Sequence, residues 1–353
     1  MIVTDIERPT LKAILADLLG RPVRSLETVA GGRNSRVYRF LADDGSACVA
    51  KRYFRSAADA RDRLGVEFSS ITYLWDHGIR CVPRPVAADA GNGVAVYEAV
   101  DGGPVGASKV TPADIDFAVG FLERLYVLGK RSDSKSLPLA SEACFSINAV
   151  IENVQARYRR LAGCSDSSAE TCALRGYLDN DFRAAFDEVV SWSLSRLAAA
   201  GIPAAIEISN DERTLSPSDF GFHNAMRQAD GTIIFLDFEY FGRDDPAKLI
   251  ADFLLHPAMR LERELKRRFA VTATNIFQAD RKLRQRTEVA YALFGLKWCL
   301  ILLNEFLPDE SRRRGFADAG SASANDPRMG QLEKAIRLLA ELRTTYRDSP
   351  YYA

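Results

Sequence analysis

The spacing of apolar residues changes near residue 101, and this change constrains the fold more than any other feature. From Ser25 to Phe54, and again in VPRPVAA and GVAVYEAV, apolar residues follow strand patterns. Beyond the sequence Asp101-Gly102-Gly103-Pro104 they recur mostly at helical spacing. We therefore predict an α+β chain with two lobes. Residues 1–101 would form a small antiparallel β-sheet lobe with one main helix, and residues 102–353 a larger, mainly helical lobe.

Turn residues and apolar spacing predict the individual elements. A helix over Thr10–Leu19 ends at Gly20, and Asp44-Gly45 marks a hairpin. The main helix of the first lobe is predicted over Ala57–His77. Polar segments at Cys164–Thr171 and Gly315–Met329 are interpreted as loops. Helices of the second lobe are predicted over Ala113–Leu128, Ile147–Leu161, Leu174–Leu197, Arg260–Ile276, Arg281–Phe306 and Gln331–Tyr346.

Composition excludes several classes of function. The chain has 353 residues, of which 47% are hydrophobic, and its 47 basic residues equal its 47 acidic ones. This balance gives no basis for bulk attraction to nucleic acid or to a membrane surface. The six cysteines form no C-x-x-C pair and there are only three histidines, which argues against a zinc site and favours reduced thiols. The N-terminal residues lack the apolar core of a signal peptide, and we expect the apolar stretch Trp298–Leu303 to be too short to span a bilayer, so we predict a cytoplasmic protein.

The residues with the clearest chemistry lie in LSPSDFGFHNAMRQADGTIIFLD, which runs from Leu215 to Asp237. Phosphoryl transfer needs one carboxylate for the attacking hydroxyl, and an amide oxygen and a second carboxylate for magnesium. Asp219, Asn224 and Asp237 supply these groups at the spacing of a kinase catalytic loop and metal-binding Asp. The spacing D-x4-N alone is weak, and it gains weight from the apolar run that precedes Asp237.

The first lobe contains matching candidates for nucleotide phosphates. Gly31 and Gly32 would allow close backbone approach, and Asn34 and Ser35 would add polar donors, although taken alone this segment fits an ordinary Gly-rich hairpin turn better. Lys51 ends a strand about twenty residues later, where a lysine can reach phosphates.

Two further positions of the first lobe complete this set. Glu67, on the following helix, could orient Lys51 through an ion pair. Backbone groups from Glu98 to Val100 could bind the adenine edge.

Together, G-G-R-N-S, V-A-K, E-x-V-D-G, P-S-D-F-G-F-H-N and F-L-D-F-E resemble the aminoglycoside phosphotransferase/choline kinase-like family, from about Val29 to about Pro257. The resemblance implies a bilobal protein-kinase-like fold that binds ATP and Mg²⁺ in a cleft between the lobes. Asp219 would be the catalytic base, and Asn224 and Asp237 would bind magnesium. The resemblance also implies that Lys51, paired with Glu67, contacts the ATP phosphates, which the segment 31–35 covers.

The sequence departs from the family at Pro217, where members usually have a histidine two residues before the catalytic Asp. Pro217 could stiffen the loop in its place. We interpret His223 as a packing or backbone-bonding residue rather than a base. We expect Asp252 to anchor the catalytic loop through backbone hydrogen bonds, and Asp244 or Asp245 to cap a helix that begins at Pro246.

The sequence says less about the molecule that would accept the phosphoryl group. Nine basic residues against three acidic ones lie between Arg260 and Arg286. A solvated, partly ion-paired helix face explains them, and an anionic acceptor is the alternative. Trp192 and Trp298 are interpreted as core residues.

The sequence leaves three functional hypotheses. The first is an ATP- and Mg-dependent kinase that acts on a hydroxyl of a sugar, amino sugar or amino alcohol, without nucleic-acid or membrane partners. The second is a nucleotide-binding pseudokinase with a regulatory role, for which Pro217 is the support. A protein kinase is disfavoured because the metal-binding Asp237 is followed by Phe238-Glu239 and not by Phe-Gly, and the chain lacks A-P-E.

Overall fold

The computed structural model describes residues 7–29, 34–55, 61–317, 326–347 and 351. These residues fall into two compact units. Unit 1 lies within Met1–Pro104, Asn224–Phe241 and Asp309–Ala324, and unit 2 within Val105–His223, Gly242–Pro308 and Asn325–Ala353. The predicted division at residue 101 remains a prediction. The two compact units do not coincide with the two predicted lobes, because unit 1 extends to Pro104 and includes two later segments of the chain.

Unit 1 is built on a five-stranded antiparallel sheet with the order β1-β2-β3-β5-β4. Gly45 closes the β2–β3 hairpin with a φ of 85°, a left-handed conformation that glycine adopts without steric cost. The strands are β1 (Val23–Val29), β2 (Ser35–Ala42), β3 (Ala47–Tyr53), β4 (Pro85–Asp89) and β5 (Val94–Glu98).

The two faces of this sheet contact different helices. Helix α1 (Arg8–Leu19) packs Leu11 and Leu15 against alternate sheet residues such as Ala50. Lys51, the next residue of β3, points to the opposite face and contacts helix α2 (Arg63–Asp76). Alternation along one strand thus separates an apolar core from a polar cluster.

Unit 1 also contains a small three-stranded sheet with the order β6-β8-β9, in which β8 and β9 form a hairpin. Its strands are β6 (Gly103–Pro104), β8 (Ala225–Arg227) and β9 (Ile233–Phe235). Helix α10 (Pro308–Ala317) was not predicted. It places the Phe316 ring 5.5 Å from that of Phe54.

Unit 2 is mainly helical, with one pair of short strands, β7 (Thr214–Ser216) and β10 (Gly242–Asp244). Helix α9 packs against α4, α6, α7 and α11. The helices are α3 (Pro112–Gly129), α4 (Ile147–Ala162), α5 (Ala169–Gly176), α6 (Arg183–Ala199), α7 (Pro246–Leu255), α8 (Arg263–Ile276), α9 (Leu283–Leu302) and α11 (Arg328–Thr345).

In the described part of the chain, one helix is long and apolar enough to cross a membrane by length and composition, the helical stretch Leu283–Phe306 with mean hydropathy 1.4. The apolar stretch predicted over Trp298–Leu303 is therefore part of a longer helix of 24 residues. Its most apolar part is 67% buried inside the protein, as in the core helix of a soluble domain, so the finding is weak evidence for a span.

Several predicted boundaries were wrong. The helix predicted from Ala57 begins at Arg63, where Asp62 accepts a hydrogen bond from Gly65 N–H; residues 56–60 lie outside the described part. The segment predicted as one helix over Leu174–Leu197 contains a wider turn at Tyr177–Phe182.

Both predicted loops are partly helical. Ala169, within the first of them, begins α5, and residues 315–317, at the start of the second, end α10. Residues 318–325 of the second loop lie outside the described part.

Gly242 of β10 allows a close backbone approach that a larger residue would block. A Cβ atom there would lie 2.4 Å from Ala140 N and 2.6 Å from Pro138 O, where residue 139 bridges to Arg243. Gly120, within α3, has no heavy atom within 4 Å of its own hypothetical Cβ.

We therefore predict that Gly242→Ala lowers the free energy of unfolding by about 2 kcal/mol or more, because backbone must move to admit the methyl group. Gly120→Ala should raise it by about 0.5–1 kcal/mol through helix propensity and lower unfolded-state entropy. Chemical denaturation of both variants checks this pair. Equal effects would contradict the packing described at Gly242.

Candidate functional site

In unit 1 the β8–β9 hairpin brings Asn224 and Asp237 close together. Asn224 precedes β8 and Asp237 lies two residues after β9, and Ala225 pairs with Phe235. The Leu236 N–H then donates to the Asn224 carbonyl at 2.8 Å. Asp237 follows in the left-handed region, with a φ of 66°, which short polar residues tolerate better than most. Hairpin register therefore makes neighbours of two residues that are far apart in sequence.

Lys51 joins this group through a partly buried ion cluster. Its Nζ donates to both carboxylate oxygens of Glu67, at 2.9 and 2.7 Å, and to Oδ1 of Asp237 at 2.9 Å. The Tyr53 hydroxyl donates to Glu67 Oε2 at 2.6 Å and lies 3.2 Å from the Tyr97 hydroxyl. The structure thus has the predicted Lys51–Glu67 pair and extends it to the predicted metal ligand.

Lys51 and its carboxylate partners shift one another's pKa values against the effect of burial. Burial opposes the charge on Lys51, but Asp237 and Glu67 outweigh it and hold the pKa of Lys51 well above its usual value. Burial raises the pKa of Glu67, and the adjacent Lys51 only partly offsets that effect. Lys51 therefore stays protonated, as a group that binds phosphate must.

Glu239 is a third carboxylate that our sequence analysis did not assign to the site. Burial, followed by the charge of Asp237, raises the pKa of Glu239 to about 8. Oxygen atoms of Glu67, Asp237 and Glu239 all lie within 4.8 Å of one another. A group of carboxylate oxygens beside the Asn224 segment matches the ligands that Mg²⁺ prefers, so the residues present fit this ion.

The predicted phosphate loop is only partly described. Gly31 and Gly32 lie outside the described residues, whereas Ser35 is buried at the start of β2. Asn34 donates from Nδ2 to Glu239 and, at 2.8 Å, to the Tyr240 hydroxyl. These bonds link the loop to the segment that follows Asp237.

At the predicted adenine edge, two of the three backbone N–H groups already have partners. Glu98 N–H donates to Arg84 O at 2.9 Å and Ala99 N–H to Ala47 O at 3.0 Å, while the Glu98 side chain pairs with Arg84. Among the described residues, Val100 N–H has no hydrogen-bond acceptor. Val100 is therefore the backbone donor that this segment can offer a purine.

In unit 2, β7 leads directly into the loop that carries Asp219. Asp219 N–H donates to Pro217 O at 2.9 Å across Ser218, whose φ is 68°. This bond closes a tight γ-turn with a left-handed central residue, a strained conformation. Ser218 N–H also donates to Ser216 Oγ at 3.0 Å. The loop is thus held by local bonds around Pro217.

Two histidines contact the Asp219 carboxylate. Nε2 of His223 lies 3.0 Å and Nε2 of His256 lies 3.3 Å from the same oxygen, Oδ1. The imidazole rings stack in parallel, with centroids 3.7 Å apart. Burial would raise the pKa of Asp219, but the hydrogen bonds from both histidines outweigh it and hold that pKa well below its usual range. Asp219 is therefore ionised at neutral pH.

This contact changes our interpretation of His223. The residue packs as expected, against His256, but its hydrogen bond goes to the Asp219 side chain and not to the backbone. Trp298, interpreted as a core residue, is half-buried and meets the His256 ring edge-on at 4.6 Å.

Lys248, which sequence reasoning missed, connects this loop to α7. Its Nζ donates to Asp244 at 2.7 Å and to Ser218 Oγ at 3.1 Å, and lies 3.2 Å from Asp252. Asp252 also accepts from Trp298 Nε1 at 3.0 Å. The expectation of backbone bonds from Asp252 was thus wrong, since it acts on the loop through Lys248.

The start of α7 agrees with the sequence. Asp245 caps the helix by accepting from Ala247 N–H, and Pro246 is its first residue. Arg286 also donates to Asp245, at 3.0 Å.

The basic segment is partly ion-paired. Arg268 forms a two-bond contact with Asp116, Arg284 lies near Glu288, and Arg286 bridges Asp245 and Asp280. These pairs account for three of the nine basic residues and support a partly ion-paired helix face over an anion site.

Comparisons with known proteins agree with this geometry. The model of the phosphotransferase enzyme family matches residues 25–285. A spectinomycin phosphotransferase solved with ADP and spectinomycin is similar in structure, with a TM-score of 0.68 and 14% identity over 98% of this chain and 99% of that chain. Comparison with curated protein sequences gave no match.

Two other solved kinases are similar. A choline kinase from Streptococcus pneumoniae gives a TM-score of 0.57 and 16% identity, covering 94% of this chain and 98% of that one. An amicoumacin kinase in complex with AMP-PNP and Ca²⁺ gives 0.59 and 16%, covering 96% and 94%. At such identities the likeness shows the fold alone, which is the predicted bilobal, protein-kinase-like one.

We predict that Lys248→Met lowers the free energy of unfolding by about 3–5 kcal/mol, because it leaves Asp244 and Asp252 without their cation in a buried site. Arg268→Met, which removes an exposed pair with Asp116, is the matched control and should cost about 1 kcal/mol or less. Urea denaturation measures both. A Lys248→Met variant as stable as the control would contradict the buried network.

Proposed function

We propose that this chain, which belongs to the phosphotransferase enzyme family, moves the γ-phosphoryl group of ATP to a hydroxyl of a sugar, an amino sugar or an amino alcohol. Family membership makes the protein a small-molecule kinase with a hydroxyl acceptor. The observation that carries the finer proposal is the largely buried Lys51, whose ammonium group bridges Glu67 and Asp237. That it works in the cytoplasm, without nucleic-acid or membrane partners, remains a prediction.

Unit 1 supplies the groups for the nucleotide. Lys51 would donate to the ATP phosphates, oriented by Glu67, whose own position depends on the Tyr53 hydroxyl bond. Val100 N–H would donate to the purine edge. Asn224 and Asp237 would hold magnesium, which when bound neutralises charge on the phosphates and lowers the barrier to transfer.

Unit 2 supplies Asp219 for the acceptor. Because its pKa is held low, Asp219 is an ionised but weak base at neutral pH. A loose phosphoryl-transfer transition state makes little demand on the nucleophile, so orientation of the hydroxyl and late acceptance of its proton suffice. We therefore assign Asp219 the role of accepting a hydrogen bond from the acceptor hydroxyl and then its proton.

The acceptor class comes from two considerations. The similar structures are named for kinases of spectinomycin, choline and amicoumacin, which suggests hydroxyl-bearing small molecules here as well. Asp219 contacts two imidazole rings, of which His256 packs against the Trp298 indole, and Asp252 is bonded to Trp298 and Lys248. Among the residues that the structure describes, these contacts with Asp219 include no set of uncommitted carboxylates, which a polycation would need.

The pseudokinase alternative rests on Pro217. The structure weakens that support, because Asp219 keeps two hydrogen-bonding imidazoles and a low pKa in the absence of the usual histidine. No reacting group is missing among the described residues at this position. A catalytic role is therefore favoured over nucleotide binding alone.

We predict that Asp219→Asn lowers kcat by about 10²–10³-fold or more while the affinity for Mg-ATP stays within about threefold, because it removes only the acceptor contact. Asp237→Asn should weaken Mg-ATP binding itself. Isothermal titration with Mg-ATP, together with ADP-release kinetics, separates the two. The reverse pattern, with Asp219→Asn losing nucleotide affinity, would contradict these assignments.

The acceptor should emerge from an ATP-consumption screen over sugars, amino sugars, amino alcohols and nucleosides. We expect ADP release that depends on both magnesium and one class of acceptor, and that Asp219→Asn abolishes. A thermal shift with Mg-ATP but no consumption with any acceptor would favour the pseudokinase.

A further inference from the structure

We propose that His256 is a positioning residue for the reaction, because its Nε2–H holds Oδ1 of Asp219 in the orientation that receives the acceptor hydroxyl. This inference rests on the proposed function and adds a residue to it. His256 follows the last residue of α7, 37 positions after Asp219 in sequence, and its side chain is 14% exposed. Only the fold makes it a neighbour of the catalytic loop.

The tautomer of His256 follows from its two hydrogen bonds. The Ala258 N–H points at Nδ1 from 3.3 Å, so Nδ1 must be the acceptor nitrogen of this ring. A neutral imidazole then carries its proton on Nε2, which faces Oδ1 of Asp219 at 3.3 Å. An ionised carboxylate can only accept, and His256 is therefore the donor. The backbone of residue 258 fixes the direction of the bond to the catalytic carboxylate.

Packing on two sides prevents the ring from turning away. One face stacks on His223 with an interplanar angle of 8°, and Trp298 meets the ring at 82°. Trp298 is itself held by the bond from Nε1 to Asp252 at 3.0 Å. A ring with a fixed plane and a fixed tautomer is a preorganised donor. It holds the Asp219 carboxylate in place without a further loss of side-chain entropy when the reaction begins.

The catalytic loop has a particular need for such a donor. Pro217 offers no side-chain hydrogen bond to Asp219, and Ser218 is in a left-handed conformation that closes the turn at Asp219. This turn fixes the backbone of Asp219 but leaves its side-chain torsions to other contacts. His256 and His223 both hold the same oxygen, so they fix the carboxylate plane from the side of α7 and from the loop itself.

A first experiment compares two substitutions that separate the ring from its donor. His256→Phe keeps the aromatic packing against His223 and Trp298 and lacks Nε2–H. His256→Gln places an amide N–H near the position of Nε2. We expect His256→Phe to lower kcat by about 10- to 100-fold, with KM for Mg-ATP changed by less than about threefold, and His256→Gln to recover most of the loss.

The matched control is His77→Phe. The His77 ring packs against that of Tyr73 at a tilt of 38°, with the ring centroids 4.2 Å apart, and its Nδ1 lies 2.8 Å from Tyr73 O within unit 1. It has no place in the proposed machinery, so this variant should keep wild-type kcat. Equal losses for the Gln and Phe variants, or wild-type kcat in His256→Phe, would overturn the inference.

A second experiment tests the bond without turnover. Long-range ¹⁵N spectra of histidine-labelled protein report the tautomer of each of the three imidazoles in the chain, and the His256 and His77 variants assign the signals. We expect a neutral Nε2–H tautomer for His256 that Asp219→Ala perturbs and His77→Phe does not. An Nδ1–H tautomer, or no response to Asp219→Ala, would overturn the inference.

The two proposals fail in different ways. Wild-type protein without kinase activity on any acceptor would overturn the proposed function. An active wild type with an equally active His256→Phe variant would overturn only the role of His256.

Discussion

A buried charge must be paired, and this constraint organises both units of the protein. In unit 1 the side chain of Lys51 is 13% exposed and forms ion pairs with Glu67, which lies on a helix, and with Asp237, which follows a hairpin. In unit 2 the side chain of Lys248 is 2% exposed; it pairs with Asp244 and Asp252 and donates a hydrogen bond to Ser218. Removing Lys51 would leave the buried Glu67 carboxylate without its cation, and removing Lys248 would do the same to Asp244. The polar groups assigned to catalysis are therefore held by the same contacts that stabilise their units.

The sequence was most informative where one local rule decides the structure. Alternation along β3 predicted a strand with Lys51 on it, and Asp44-Gly45 predicted the hairpin that Gly45 closes. Proline at position 246 after two aspartates predicted the start of α7. The start of α2 was misplaced because residues 57–62 have helical composition, whereas the cap at Asp62 depends on a contact with Gly65 N–H. Local composition cannot show which polar residue forms the cap.

The contacts around Asp219 could not be predicted from spacing, because they join distant segments. His256 and Lys248 belong to α7, and Trp298 to α9, and no motif relates their positions to the catalytic loop. The sequence did contain a partial indication, since Pro217 removes an expected histidine and the chain has only two others in this half, His223 and His256. Glu239 was likewise overlooked, because a carboxylate two residues after Asp237 has no assigned role until burial and the Asn34 bond are known.

The central claim is that phosphate passes from ATP to a hydroxyl and not to water. Phosphorus NMR of wild-type protein with Mg-ATP and the acceptor found by screening tests it most directly, because phosphomonoesters, ADP and inorganic phosphate give separate signals. The account predicts ADP and a phosphomonoester in equal amounts, both formed only in the presence of magnesium. Unchanged ATP, or ADP accompanied by inorganic phosphate alone, would contradict it.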